Sequence, residues 1–409
     1  MTAVSKEPAK RVRDVRLDFF RGVCLFIIFV AHIFGNYWAL FIPARFGLSD
    51  AAEIFVFCSG MASAVAFASV FVRHGFFMGV ARIAHRVWQV YWAHISIFFV
   101  CTVIMVMIDW HLETGEDYVR GLMMEHFFND NARMALVGLL TLTYVPPFFD
   151  ILPMYLVILC MIPAVMWLAS FNKWYAMAAI VMTWLIASFG YLDLPRAPWN
   201  DETWFFNPFS WQLVFFTGFA FMRGWLPAPK YDLRLVLAAV AYLLICLPLE
   251  WAPLLNAFPV LKEARDWLHP VINKTHQGIF RYLHFIALAY VSFVAVGEGG
   301  RYLKGPIVRV ICKVGQQSLG IFLLTLALSF TGSALLNIMG RTFFTVPLIN
   351  IGGMAIMIGV AYMMAWFKST PWKAPAKVAP QPASTKGAAD VDNGGKWPRS
   401  SAASSVPAE

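Results

Sequence analysis

Of the 409 residues, 60% are hydrophobic and 13% charged, and the mean hydropathy is +0.65. A soluble domain of this makeup would leave far too much apolar surface in water, so the composition excludes a soluble enzyme and implies an all-α, polytopic membrane helix bundle. The net charge of +9 is spread over many short loops, which argues against a nucleic-acid partner and makes the basic residues reporters of orientation.

Residues 1–16 form a basic arm that includes Lys6, Lys10, Arg11, Arg13 and Arg16. The apolar run behind it continues for about 20 residues without a small-residue cleavage site, so we expect an uncleaved first span rather than a signal peptide. The first three spans are expected at about 20–42, 51–72 and 87–108. Segment 109–150 is too polar at its start to span, and its apolar stretch 134–149 is broken by Pro146 and Pro147. That pattern predicts an interfacial or re-entrant helix.

Seven further spans are expected at about 151–169, 174–192, 210–224, 234–250, 281–297, 314–336 and 343–367, giving about ten in a transmembrane domain over 17–367. Two connections, 193–209 and 251–280, are long and aromatic. From Lys368 to Glu409 the chain is Pro, Ala, Ser, Lys and Gly with almost nothing large and apolar, which predicts a disordered tail. The cysteines stand in or beside apolar runs without a CxxC pair, so neither a disulfide framework nor a zinc or other metal site is expected.

The even span count can be tested against charge. With the N-terminus cytoplasmic, 23 of the 32 Lys and Arg residues fall on the inner side and 9 on the outer side, as expected if both termini are cytoplasmic. Segment 109–150 and both aromatic loops then face the periplasmic side. A protein with its largest folded loops there is expected to work on something outside.

Residues 16–37, RLDFFRGVCLFIIFVAHIFGNY, carry Asp18, Arg21, His32 and Asn36 into an apolar helix. At about 100° per residue these groups form one stripe, with Arg21 and His32 about 20° apart and about 16 Å apart along the axis. A membrane histidine can be a core residue bonded to Asn36 or a backbone carbonyl. It can equally be a general base, because its proton affinity is tunable around neutrality. For Asp18, with Arg21, an interfacial ion pair at the helix entrance is the favoured reading.

Other polar residues have both structural and functional readings. Glu53 and Asp150 open spans, where the helix dipole favours an acid, yet a carboxylate on the outer side could also orient His32 or stabilise its imidazolium. Arg82 and Arg86, four apart on one face, suit head-group anchoring or a phosphate-bearing ligand. The amide of Gln212 suits interhelical bonding or ligand contact. His269, His276 and His284 have no metal-ligand spacing.

Three blocks together resemble the acyltransferase-3-like membrane enzymes: the Arg-x10-His pattern from Arg21 to His32, AEIFVFCSG around Glu53, and RIAHRVWQVYW with Arg82, Arg86 and Tyr91. The membrane region, with FDILPMYL and FNPFSWQLVFFTG, is similar to the OpgC proteins, which add succinyl groups to osmoregulated periplasmic glucans. There are departures: Ile83 replaces the second arginine of a doublet, Gln89 a proline, and Glu53 the usual Asp.

The resemblance implies a multi-pass acyltransferase of the bacterial inner membrane that takes an acyl group, succinyl by the family, from cytoplasmic succinyl-CoA. It implies His32 as base, with Asp150 and Glu53 as supporting acids, and Arg21, Arg82, Arg86, Asn36 and Gln212 around donor or substrate. Arg309 or Lys313 would assist at the CoA phosphates, and Arg21, Arg281 or Lys274 would face an anionic acyl group. No metal is needed. The alternatives are acetylation of another extracytoplasmic glycan, or a glycan or lipid transporter; a transporter would predict internal repeats or paired broken helices, which the sequence does not display.

Overall fold

The computed structural model describes residues 14–112 and 117–373. The basic arm before Asp14 and the tail from 374 onward lie outside the described residues. Among the described residues the fold is helical, with a single isolated β-bridge between Pro195 and Thr203. The principal helices are α1 (Val15–His32), α2 (Ala51–His74), α3 (Phe76–His111), α4 (Ala132–Thr141), α5 (Ile151–Phe171), α6 (Lys173–Ser188) and α7 (Pro208–Arg223). They are followed by α8 (Leu233–Cys246), α9 (Pro259–Ile272), α10 (Ile279–Val296), α11 (Pro306–Gln316), α12 (Ser318–Met339) and α13 (Thr345–Lys368).

Six of these, α2, α3, α5, α10, α12 and α13, are long and apolar enough to cross a membrane. The remaining four expected spans are also helices, but they fall short for identifiable reasons. α1 has 18 residues and carries Arg16, Asp18 and Arg21. α6 and α7 have 16 residues and α8 has 14. At about 1.5 Å per residue each of these three is shorter than the roughly 30 Å hydrocarbon core.

Local chemistry sets the boundaries. Asp14, Asn172, Asn207 and Asp232 cap α1, α6, α7 and α8 by accepting backbone N–H bonds one or two residues into the helix, and Pro208 occupies the first turn of α7, where a missing N–H costs nothing. α1 does not run to residue 42. It ends at His32, and the chain turns through short 3-10 segments at Tyr37–Phe41 and Pro43–Arg45. Asn36 therefore leaves the helical stripe; its side chain instead caps the next turn, accepting from Trp38 N–H at 3.1 Å. The expected ninth span is broken at Gln317, which separates α11 from α12.

Close helix contacts are made through glycines. A Cβ on Gly22 of α1 would collide with the Ile311 carbonyl of α11, and one on Gly315 would collide with the Asp18 carbonyl of α1. Gly60 of α2 and Gly218 of α7 meet the Phe215 and Phe57 carbonyls in the same reciprocal way. Without a hydrophobic driving force between helices in lipid, backbone approach of this kind is what holds them. Apolar side chains such as Val103, Leu237, Leu348 and Ile351 remain exposed, as a lipid-facing surface requires.

Segment 109–150 folds partly as expected: α4 is a short apolar helix that ends at Leu142 in the left-handed conformation. The following 143–150 stretch is fastened to the 193–209 loop, with Val145 N–H donating to the Arg196 carbonyl at 2.8 Å and Arg196 Nε donating back to Val145 at 3.2 Å.

Candidate active site

α1 delivers His32 at its last turn. The ring Nδ1 lies 2.6 Å from the Ile28 carbonyl. A carbonyl only accepts, so Nδ1 carries the hydrogen and Nε2 keeps its lone pair. The opposite side of the ring is fixed by Phe148, edge-to-face at 5.3 Å between centroids. Phe148 adopts φ +70, a conformation that is costly for an aromatic residue and persists only when its surroundings demand it. The turn VPPFFD supplies that constraint, and Phe34 and Phe330 pack on the same ring at 5.4 and 6.1 Å.

The head of α2 holds two carboxylates and draws in two cations. Asp50 accepts from Ala52 N–H at 2.7 Å, and Glu53 Oε2 accepts from Asp50 N–H at 2.9 Å, closing a capping box. Arg281, two residues into α10, donates through Nε to Glu53, and its Nη2 lies 3.5 Å from Asp50. Lys274 forms a short ion pair with the same Asp50 oxygen. Glu53 has no exposed surface and Arg281 only 7%. Burial alone would push the Asp50 carboxyl up, but Lys274 and Arg281 outweigh it and hold the group below the usual carboxylate range.

Lys274 is itself held in place. Its carbonyl accepts from Trp211 Nε1 at 2.9 Å, the Thr275 carbonyl accepts from Asn207 N–H at 3.2 Å, and its ammonium stands 5.6 and 5.4 Å from the Phe205 and Phe206 rings. His284 belongs to the scaffold: its Nδ1 accepts from Ser49 N–H at 3.3 Å and lies 2.7 Å from Ser49 Oγ, the tautomer opposite to that of His32. A cavity of about 380 Å³ opens next to the cluster, with Asp50, Lys274 and Arg281 in its wall.

The other sequence candidates fall in different places. Asp150 is buried at the start of α5, two residues beyond Phe148, but it is the Ile28 carbonyl that orients the His32 ring. Arg21 donates through Nη2 to Ser318 of α12, while its Nε is buried and unpartnered among the described residues. Asp18 is buried and accepts from Gln316 Nε2 at 3.2 Å, a bond to α11. Asn36 exchanges amide hydrogen bonds with Asn350 of α13 at 2.9 and 3.1 Å. Gln212 donates to the Ile180 carbonyl at 2.7 Å, joining α7 to α6. Arg82 is exposed and Arg86 half-buried near the start of α3, where Arg86 bonds Gln89 at 3.3 Å.

Asp50 is the residue the sequence reading passed over. The signal that could have found it is Asp50-x-x-Glu53 ahead of an apolar run, a capping-box signature. Among the described residues no group of three or more His, Cys, Asp and Glu is placed to hold a metal ion.

The profile of the family described as OpgC protein matches residues 13–369. No curated protein and no solved structure matches the chain.

Proposed function

The chain belongs to the OpgC family, and from that premise we propose that it transfers an acyl group, succinyl, from cytoplasmic acyl-CoA to a hydroxyl of a periplasmic glucan, with His32 as general base. Family membership implies the acyltransferase; the donor, the acceptor and the residue roles are our reading. The observation that carries it is the His32 tautomer. With Nδ1–H committed to the Ile28 carbonyl, Nε2 is the basic nitrogen, and the ring cannot rotate without losing both that bond and the Phe148 contact.

In this mechanism Nε2 takes the proton of a sugar hydroxyl as the oxygen attacks the thioester carbonyl. The tetrahedral intermediate collapses with loss of the CoA thiolate, which recovers the proton from the imidazolium, leaving an O-ester. In this reading Asp50 and Asp150 are the carboxylates that would stabilise an imidazolium. The Glu53–Arg281 pair fixes the α2 head, and so the position of Asp50.

Arg21, about 16 Å along α1 from His32, has an orphan Nε–H in a buried position. A permanently charged donor without an acceptor suits the acyl-pantetheine arm or a succinyl carboxylate. Arg82 and Arg86 on α3 suit the CoA phosphates. The excess of Lys and Arg on the Arg21 side supports cytoplasmic termini, and the family supports an inner-membrane protein whose acceptor side is periplasmic.

The test is mass spectrometry of periplasmic glucans from cells carrying His32→Ala or His32→Gln, with membrane protein levels measured in parallel. The expected result is loss of the succinyl mass increment at unchanged protein level. Normal substitution in these variants would remove His32 from the chemistry; an acetyl increment in wild-type cells would correct the acyl group.

A further inference from the structure

His32 is the last residue of α1, where a helix is least constrained, because its final carbonyls lack intrahelical partners and its end is prone to fray. Here that end is fastened from α12 and α13. Ser329 Oγ donates to the Phe29 carbonyl at 3.2 Å, and Phe34 N–H donates to Ser333 Oγ at 2.9 Å. Asn36 Nδ2 donates to the Val30 carbonyl at 3.1 Å, and the same amide is bonded to Asn350. Between the two fastened residues Phe34 and Asn36 lies Gly35, at φ +70. A Cβ on Gly35 would collide with Nε of Arg341, so the arginine side chain lies on the backbone of the turn, three residues past His32.

Arg341 stands exposed in the connection between α12 and α13, and the partner it bonds is neutral. Its Nη2 donates to Asn337 Oδ1 one turn back on α12, and Asn337 Nδ2 donates to the Tyr118 hydroxyl. Tyr118 is held at its backbone: the N–H groups of Tyr118 and Val119 donate to the Asp109 carboxylate of α3 at 3.1 and 2.9 Å. The same short stretch receives the Tyr144 hydroxyl at the Met123 carbonyl. A continuous chain of contacts thus runs from the Gly35 backbone through Arg341, Asn337 and Tyr118 into segment 109–150, which carries the Phe148 ring that packs on His32 at 5.3 Å.

We propose that Arg341 is a positioning residue for His32: lying across Gly35 and bonded to Asn337, it keeps the turn at 33–36 and the Phe148 segment in fixed relation, so that the imidazole holds the orientation set by the Ile28 carbonyl. The role of His32 as base rests on the acyltransferase reading above, whereas the clamp does not. Arginine suits the task because its planar guanidinium can lie flat on a glycine while its fork holds an amide oxygen, and the compact ammonium of lysine cannot do both. Glycine suits position 35 for two separate reasons, the left-handed φ and the missing Cβ.

The experiment uses the full-length protein in detergent micelles, with succinyl-CoA as donor and laminaritetraose as acceptor. It reads the kinetics of CoA release and the imidazole nitrogen NMR signals of isotope-labelled histidine, with His32→Gln identifying those of His32. Wild type should show the Nδ1–H tautomer. Arg341→Ala and, independently, Tyr118→Phe, which removes a single hydroxyl, should each turn this into a mixture of tautomers. Because a displacement of about 1 Å can cost about 10²-fold in rate, kcat should fall about tenfold or more, at unchanged KM for both substrates. Arg341→Lys keeps the charge but not the planar fork, and should lose as much as Arg341→Ala. Arg341→Ala combined with Phe148→Ala should cost less than the sum of the two, since both act through one ring.

Unchanged His32 signals in Arg341→Ala and Tyr118→Phe would overturn the proposal, and so would an undiminished kcat in an active enzyme. A raised KM at constant kcat would likewise overturn it, making Arg341 a substrate-binding cation. Altered His32 signals in the variants of a protein that transfers no acyl group would uphold the clamp and refute the acyltransferase reading. Unaltered signals in the variants of an active enzyme would do the reverse.

Discussion

Glu53 and Arg281 make a buried ion pair between residues 228 apart in sequence, and its removal gives a quantitative test of how α2 and α10 are held. In Arg281→Met the side-chain volume is nearly kept, but Glu53, with no exposed surface, loses the guanidinium. Its Oε2 still accepts from Asp50 N–H, so only part of the carboxylate is compensated. Breaking a buried pair by removing one partner costs about 3–5 kcal/mol, because a charge is left unpaired in low dielectric. At about 1.4 kcal/mol per decade, the folded-to-unfolded ratio should fall about 10²- to 10³-fold. Lys274 remains on Asp50, which places the expectation toward the lower end. The assay is equilibrium unfolding in mixed detergent–SDS micelles, followed by tryptophan fluorescence. The informative comparison is the double variant Glu53→Gln/Arg281→Met, which removes both charges and should recover more than half of the loss. Equal losses in single and double variants would mean that Arg281 stabilises the fold by packing, and the electrostatic account of the α2 head would be wrong.

Three further outcomes follow from the same geometry. Asp50 has a depressed pKa in the folded state, so its contribution to stability is present above about pH 4, the unfolded range, and is lost as pH falls through the lower folded value. Asp50→Asn should flatten this acid limb of the unfolding temperature; an unchanged limb would assign acid sensitivity to other groups. Gly60→Leu would drive a side chain into the Phe215 carbonyl and should cost about 3 kcal/mol or more, read as lost folded protein in membranes, whereas wild-type yield would refute the α2–α7 contact. Asn36→Leu leaves the buried Asn350 Oδ1 without its donor, although Nδ2 keeps the Val346 carbonyl, and should cost about 1–3 kcal/mol, partly recovered in Asn36→Leu/Asn350→Leu. If the single variant instead raises the donor KM at unchanged stability, Asn36 contacts substrate.

The difference between what the sequence disclosed and what it hid is a difference of range. Hydropathy is a local property, so all ten expected spans correspond to helices, although only six are long and apolar enough to cross on those grounds alone. The Arg21–His32 stripe was also legible, because both residues lie on the unbroken α1 and helical periodicity fixes their relative angle. Asn36 was misplaced because the apolar run was read through a local stop signal, Gly35-Asn36 just beyond His32, where Gly35 takes φ +70; its bond to Asn350, 314 residues away, fixes where it goes instead. The site has the same character. The Asp50–Glu53 box was readable from spacing, but its cations, Lys274 and Arg281, arrive from a distant loop and helix, and sequence could name them only as positive charges in need of an anion. Among the described residues they pair with Asp50 and Glu53. In the proposed mechanism the cation for a succinyl carboxylate is Arg21, whose buried Nε has no partner among the described residues. The proposed mechanism thus uses two ends of one helix, the donor at Arg21, bonded to Ser318, and the acceptor at His32 in the last turn.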